Sequence, residues 1–285
     1  MTAQAAPMGQ PKVGLLGTVR RLADRYLLMT YTGLAVIYLL LPVAIIILFS
    51  FNDPIGRRNF VWQKFSLDAW FNPLGVPGLG NAVWLSLVIA FVSTLVATIL
   101  GTLMAIALVR YEFKGKGLTN SLIFLPMATP EIVMGASLLT LFVSIGNPPF
   151  FPLNLITILI AHILFNISYV VVTVRARLVG FPRHLEEAAM DLGANGWVTF
   201  RKVTFPLILP GIIAAALLAF SLSIDDFVIT NFSAGQTQTF PMFIYSQARV
   251  GVPVQVYVIG SIIFLVAVIS VGLTTLAGRR PARSG

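Results

Sequence analysis

Residues 83–109 read VWLSLVIAFVSTLVATILGTLMAIALV, 27 residues without a charged side chain. A helix needs about 20 apolar residues to cross a bilayer's hydrocarbon core, so this stretch is long enough. Five others read the same way: Leu27–Phe51, Leu122–Val143, Leu153–Val174, Leu207–Ile224 and Val256–Leu276. The chain of 285 residues is 57% hydrophobic and 10% charged, against about 25% charge in a soluble domain. Too little polar surface is left to clothe a water-soluble core, so lipid is the solvent. Long continuous runs, rather than short alternating ones, argue against a transmembrane β-barrel. The sequence predicts an all-α integral membrane protein with about six transmembrane helices. Pro126, Pro130 and Glu131 interrupt the third stretch, and Pro42 predicts a kink in the first.

The net charge is +9, and its distribution explains it. With the N-terminus inside, cytoplasmic segments hold 15 of the 19 Lys/Arg; Arg57, Arg58, Lys64 and Arg249 fall outside. This bias predicts that both termini are cytoplasmic. Residues 1–26 form a cytoplasmic segment, and residues 27–285 a single transmembrane domain. Arg20-Arg21 reads as an inside anchor rather than an export signal, and no cleavable signal peptide is expected. No basic run is interleaved with stacking aromatics, so no nucleic-acid partner is expected. The absence of cysteine removes disulfide and thiolate chemistry. With no Walker sequence, glycine-rich phosphate loop or metal-ligand cluster, the chain is expected to bind no cofactor or metal and to catalyse no reaction.

The segment Arg175–Phe205, RARLVGFPRHLEEAAMDLGANGWVTFRKVTF, is too polar to span. Pro182 suits a helix start. Leu185, Ala188, Ala189 and Leu192 recur at helical spacing, and Gly193 suits a left-handed helix stop. Glu187 and Asp191 are like charges four apart, a cost that Arg183 partly offsets. Two readings stay open on these residues alone: a solvated helix on the membrane surface, or a docking knob with an acidic face.

The order Glu187-Ala188-Ala189, three residues, Gly193, nine residues, Val203-Thr204-Phe205-Pro206 resembles the EAA loop of ABC-importer permeases. That pattern is E-A-A-x3-G-x9-I-x-L-P, with Val203 and Phe205 departing from it conservatively. The runs Leu125–Leu141 and Leu222–Val256 also resemble the spermidine/putrescine permeases. The resemblance implies a permease fold in a bacterial cytoplasmic (inner) membrane, with a coupling loop at about residues 175–206. It implies a second permease subunit, two ATPase subunits that bind the ATP and Mg, and an extracytoplasmic substrate-binding protein. Glu186, Glu187, Ala188, Ala189, Asp191 and Gly193 would form the ATPase-docking loop.

Each charge within a membrane costs about 2.5–3.5 kcal/mol on insertion scales and is usually functional. Glu131, Asp225 and Asp226 are therefore candidate contacts for a cationic cargo, with Trp70, Trp84 and Phe227 adding cation–π attraction. Trp70 and Trp84 also fit an interfacial aromatic belt. Adjacent helical residues point about 100° apart, so the two aspartates cannot face a path alike unless the helix breaks there. One would meet cargo while the other caps backbone or meets the partner subunit. Pro130 is expected to start a half-helix with Glu131 at its positive end; the alternative is that Glu131 only satisfies backbone freed by the break. His162 and Asn166 read as interhelical hydrogen-bond glue. A secondary transporter would predict inverted repeats with matching broken helices, and only one break is evident. Adjacent aspartates lack the facing geometry of a carboxylate dyad, which argues against an intramembrane enzyme.

Overall fold

The computed structural model describes residues 15–56, 58–180 and 182–278, with side chains described at 26–56, 58–180 and 182–269. Lys12, Arg57, Arg279, Arg280 and Arg283, used in the charge count, lie outside the described residues, as do the side chains of Arg20, Arg21 and Arg25.

The opening stretch folds as α3 (Leu79–Arg110). Its buried face carries Ala90, Ser93, Ala97, Gly101 and Ala105 at three- and four-residue spacing. Lipid tails are as apolar as any side chain, so small residues that let backbones approach provide the packing. Against this face lies α6 (Leu155–Val179). A Cβ on Gly101 would stand 2.7 Å from Val170 Cγ1, so the crossing requires glycine. Ala215 and Ala219 of α9 (Phe205–Ile224) join the same core.

The third apolar stretch is two helices, α4 (Lys116–Ala128) and α5 (Glu131–Ile145), bent by 109°. Pro130 forces the break: it lacks an N–H, and it drives Thr129 to extended backbone with ψ 131°. By contrast α1 (Leu15–Phe49) runs through Pro42 as one helix. Among the described residues, four helices are long and apolar enough to span, or five if the bent pair counts as one broken span. The sixth stretch is α12 (Val254–Gly278), apolar over Val254–Ile269, where its side chains are described.

Residue contacts divide the chain into two compact units. Met1–Pro73 with Pro253–Gly285 holds α1, the one-turn α2 (Asp68–Phe71) and α12. In the loop after α1, Asn59 Nδ2 donates to Phe49 O, one of the carbonyls a helix end leaves unpaired. Asn52 Nδ2 donates to Asn59 Oδ1 at 2.6 Å and to Val61 O at 2.9 Å. The second unit, Leu74–Val252, holds the core and the remaining helices.

Candidate coupling loop and cargo path

The polar loop folds as α7 (His184–Asp191), a turn, α8 (Gly196–Thr199) and a π-helical turn (Phe200–Thr204) leading into α9. Pro182 stands two residues ahead of the helix start. Gly193 stops α7 at φ +87°: its N–H donates to Met190 O, and the Ala194 N–H to Ala189 O, the paired bonds of a Schellman stop. Asn195 starts α8 by accepting the Val198 N–H at 2.9 Å.

The two glutamates of α7 part company. Glu187 is exposed, as are Ala188 and Asp191. Glu186 turns inward: its Oε1 accepts from Arg110 Nη2 at 2.7 Å and from Thr204 Oγ1 at 2.6 Å. Arg183 was expected to offset Glu187; instead its Nη2 donates to Val109 O at 3.3 Å, a cation at the negative end of α3. Leu192 and Trp197 project outward, 90% and 68% exposed. Acidic and apolar side chains are thus exposed together on this loop.

The opposite end of α9 repeats the division. The helix ends at Ile224, and Asp225 and Asp226 come next, at the break before α10 (Val228–Ser233). Asp225 is exposed. The Asp226 side chain is only 6% exposed and caps α10: Oδ2 accepts the Thr230 N–H at 2.8 Å and the Thr230 Oγ1 hydroxyl at 2.7 Å. His162 Nε2 lies 2.8 Å from Thr230 Oγ1 and 3.4 Å from Asp226 Oδ2, while Nδ1 lies 2.6 Å from Ser223 Oγ. Ser223 Oγ is in turn 3.0 Å from Ser93 Oγ on α3. A neutral imidazole with its proton on Nε2 satisfies this chain, with Ser223 donating to Nδ1 and Thr230 donating to the carboxylate. Buried polar groups so satisfied fix α3, α6, α9 and α10 together.

Phe227 packs on Tyr245 of α11 (Phe240–Ala248), with ring centroids 4.7 Å apart, and the Arg249 guanidinium lies 5.9 Å from the Tyr245 centroid. Glu131 is exposed as the first residue of α5, directly after Pro130, where the helix dipole favours a carboxylate. Trp84 is 65% exposed on the first turns of α3. Among the described residues, no hydrogen bond or ring contact joins Trp84 to the aspartates. Trp70 belongs to the first unit: it stacks on Phe51 at 5.1 Å and donates from Nε1 to Ser50 Oγ at 3.2 Å.

Sequence reasoning missed Arg110 and Thr204 beside Glu186, and Ser93, Ser223 and Thr230 beside His162 and Asp226. Arg110 and Thr204 lie 76 and 18 residues from Glu186, and Ser93 lies 130 from Ser223, beyond the reach of any local pattern. Thr230 bonds His162 across 68 residues, but its bonds to Asp226 span only four and were the one local signal. His162 does bond across helices, but not through Asn166, whose carboxamide is buried without a hydrogen-bond partner among the described residues.

The chain therefore combines apolar helices packed through small residues with a polar loop that exposes an acidic helix. Residues 97–282 match the profile described as "Binding-protein-dependent transport system inner membrane component". The chain belongs to this family, and it is a multi-pass permease subunit of a binding-protein-dependent ABC importer. It is 37% identical over 243 residues to the spermidine/putrescine transport system permease protein PotC of Escherichia coli K12, covering 85% of this chain and 90% of PotC. It is also 37% identical over 230 residues to the putrescine transport system permease protein PotI of the same organism, covering 79% of this chain and 81% of PotI. Among solved structures, a bacterial alginate ABC transporter in complex with its alginate pentasaccharide-bound periplasmic protein matches with TM-score 0.65 at 18% identity. That match covers 95% of this chain and 99% of the transporter chain, and at this identity it shows the fold alone.

Proposed function

We propose that this permease conducts polyamines, putrescine or spermidine, and that residues 27–285 work as one transmembrane domain with both termini in the cytoplasm of a bacterium. The observation that carries the cargo is Asp225, an exposed carboxylate beside a buried one at the outer end of α9. An extended cation needs carboxylates that stay ionised and within reach, and aromatic faces such as Phe227 to add attraction. Glu131, at the start of a half-helix, offers a second contact along the path, and Trp70 and Trp84 further aromatic faces. The printed names of PotC and PotI support the same cargo.

The chain would pair with a second permease subunit and receive cargo from a soluble binding protein outside the membrane. Two ATPase subunits, which bind the ATP and Mg, would dock on the loop that presents Glu187, Ala188, Ala189 and Asp191, with Gly193 setting its turn. Their closure would move α7 and rock the helices between inward- and outward-open states.

The test is uptake by proteoliposomes holding the full importer and its binding protein, against a panel of putrescine, spermidine, cationic amino acids and ferric ion. ATP-dependent uptake of a polyamine is expected. Uptake of ferric ion or an amino acid, with none of either polyamine, would overturn the cargo assignment.

A further inference from the structure

Glu186 sits where three elements meet. Its carboxylate holds Arg110, the last residue of α3, and Thr204, the last residue of the π-helical turn before α9. The Arg110 and Glu186 side chains are only 15% and 17% exposed, so the pair is partly sheltered from water and better than an ordinary surface pair. Beside it, Arg183 joins α7 to the Val109 carbonyl of the same α3 end.

The π-helical turn sets the third arm. Phe205 N–H donates to Phe200 O across five residues, one residue more than an α-helix uses. An extra residue rotates the preceding turn by about 100° relative to the helix after it. That rotation fixes where the Thr204 hydroxyl points, and it points at Glu186.

Chain connectivity alone already ties α7 to α9 through a short turn and α8. Nothing covalent ties α7 to α3, whose end lies 76 residues away in sequence. We propose that Arg110, Glu186 and Thr204 form a clamp that makes α7 move as one body with the inner ends of α3 and α9. A push on α7 then reaches the two helices that build the core with α6, rather than α9 alone. Glu186 is thus a positioning residue that transmits the stroke, distinct from Glu187, which meets the ATPase. The clamp rests on the reading of α7 as the ATPase-docking helix.

The native chain has no cysteine, so spin labels at Tyr111→Cys and His184→Cys report the separation of α3 and α7 directly. Both positions are exposed. In the assembled importer, the label separation is expected to be the same without nucleotide and with ATP bound. Adding Glu186→Gln should make it differ between the two states. In proteoliposomes, Glu186→Gln should lower the putrescine moved per ATP hydrolysed at least about fivefold, with the ATPase still co-purifying. A separation that changes on ATP binding with Glu186 intact would overturn the clamp, as would a wild-type transport ratio in Glu186→Gln. If the unmodified importer moves no polyamine, the cargo reading fails while the distance measurement still judges the clamp.

Discussion

Each end of α9 carries an acidic doublet, Glu186-Glu187 beside its start and Asp225-Asp226 beyond its end. In both, one carboxylate is anchored and its neighbour faces outward. The anchors differ. Glu186 holds an arginine at a partly sheltered surface, whereas Asp226 is nearly enclosed, caps a helix and meets a histidine whose own partners are hydroxyls. A partly sheltered charge pair can hold two helix ends together near the surface, whereas a buried cap cannot be lost without unpaired groups inside the fold. The Glu186 anchor suits transmission of movement; the Asp226 anchor suits a fixed frame for the exposed Asp225.

The largest effect expected from this contrast is at Asp226. Asp226→Ala removes the α10 cap and leaves the Thr230 N–H and hydroxyl without their acceptor, a loss of about 3 kcal/mol. Thermal unfolding of the purified complex would show it as a lowered midpoint. An unchanged midpoint would mean that the Asp226 anchor is no frame, and the contrast between the doublets would fall.

A smaller effect is expected at Glu187, the exposed member of the α7 doublet. Glu187→Lys leaves the Arg110–Glu186 pair in place and reverses the charge of the docking face. Stability should be unchanged, while ATPase co-purification falls about tenfold, the size of one lost charge-assisted contact. Normal association and coupled hydrolysis would remove Glu187 from the docking surface.

The helices and the loop were legible because their signals are local. The uncharged run of residues 83–109 lies inside α3, and the run ending at Ile224 ends where α9 ends. Gly193 was readable as a left-handed stop because a Schellman turn needs that residue at that place. The bend at Pro130 was readable as a break but not as 109°, since proline removes a bond without setting the direction of the next helix. The division of labour within each doublet was half legible. Helical geometry required that the two aspartates differ, yet which one turns inward depends on His162, Ser223 and Ser93, brought together only by the packing of α3, α6 and α9. On α7, the local i, i+4 rule pairs Arg183 with Glu187; the carbonyl end of α3 competes for the same guanidinium and wins.

Cargo recognition is tested most directly by the single substitution Asp225→Asn, measured for putrescine uptake in proteoliposomes beside the unmodified importer. It changes one exposed atom pair and leaves the Asp226 cap, the His162 chain and the coupling loop untouched. At least about a tenfold loss of uptake is expected, with unfolding midpoint and ATPase association unchanged. Undiminished polyamine uptake in that variant would contradict a cargo path through Asp225.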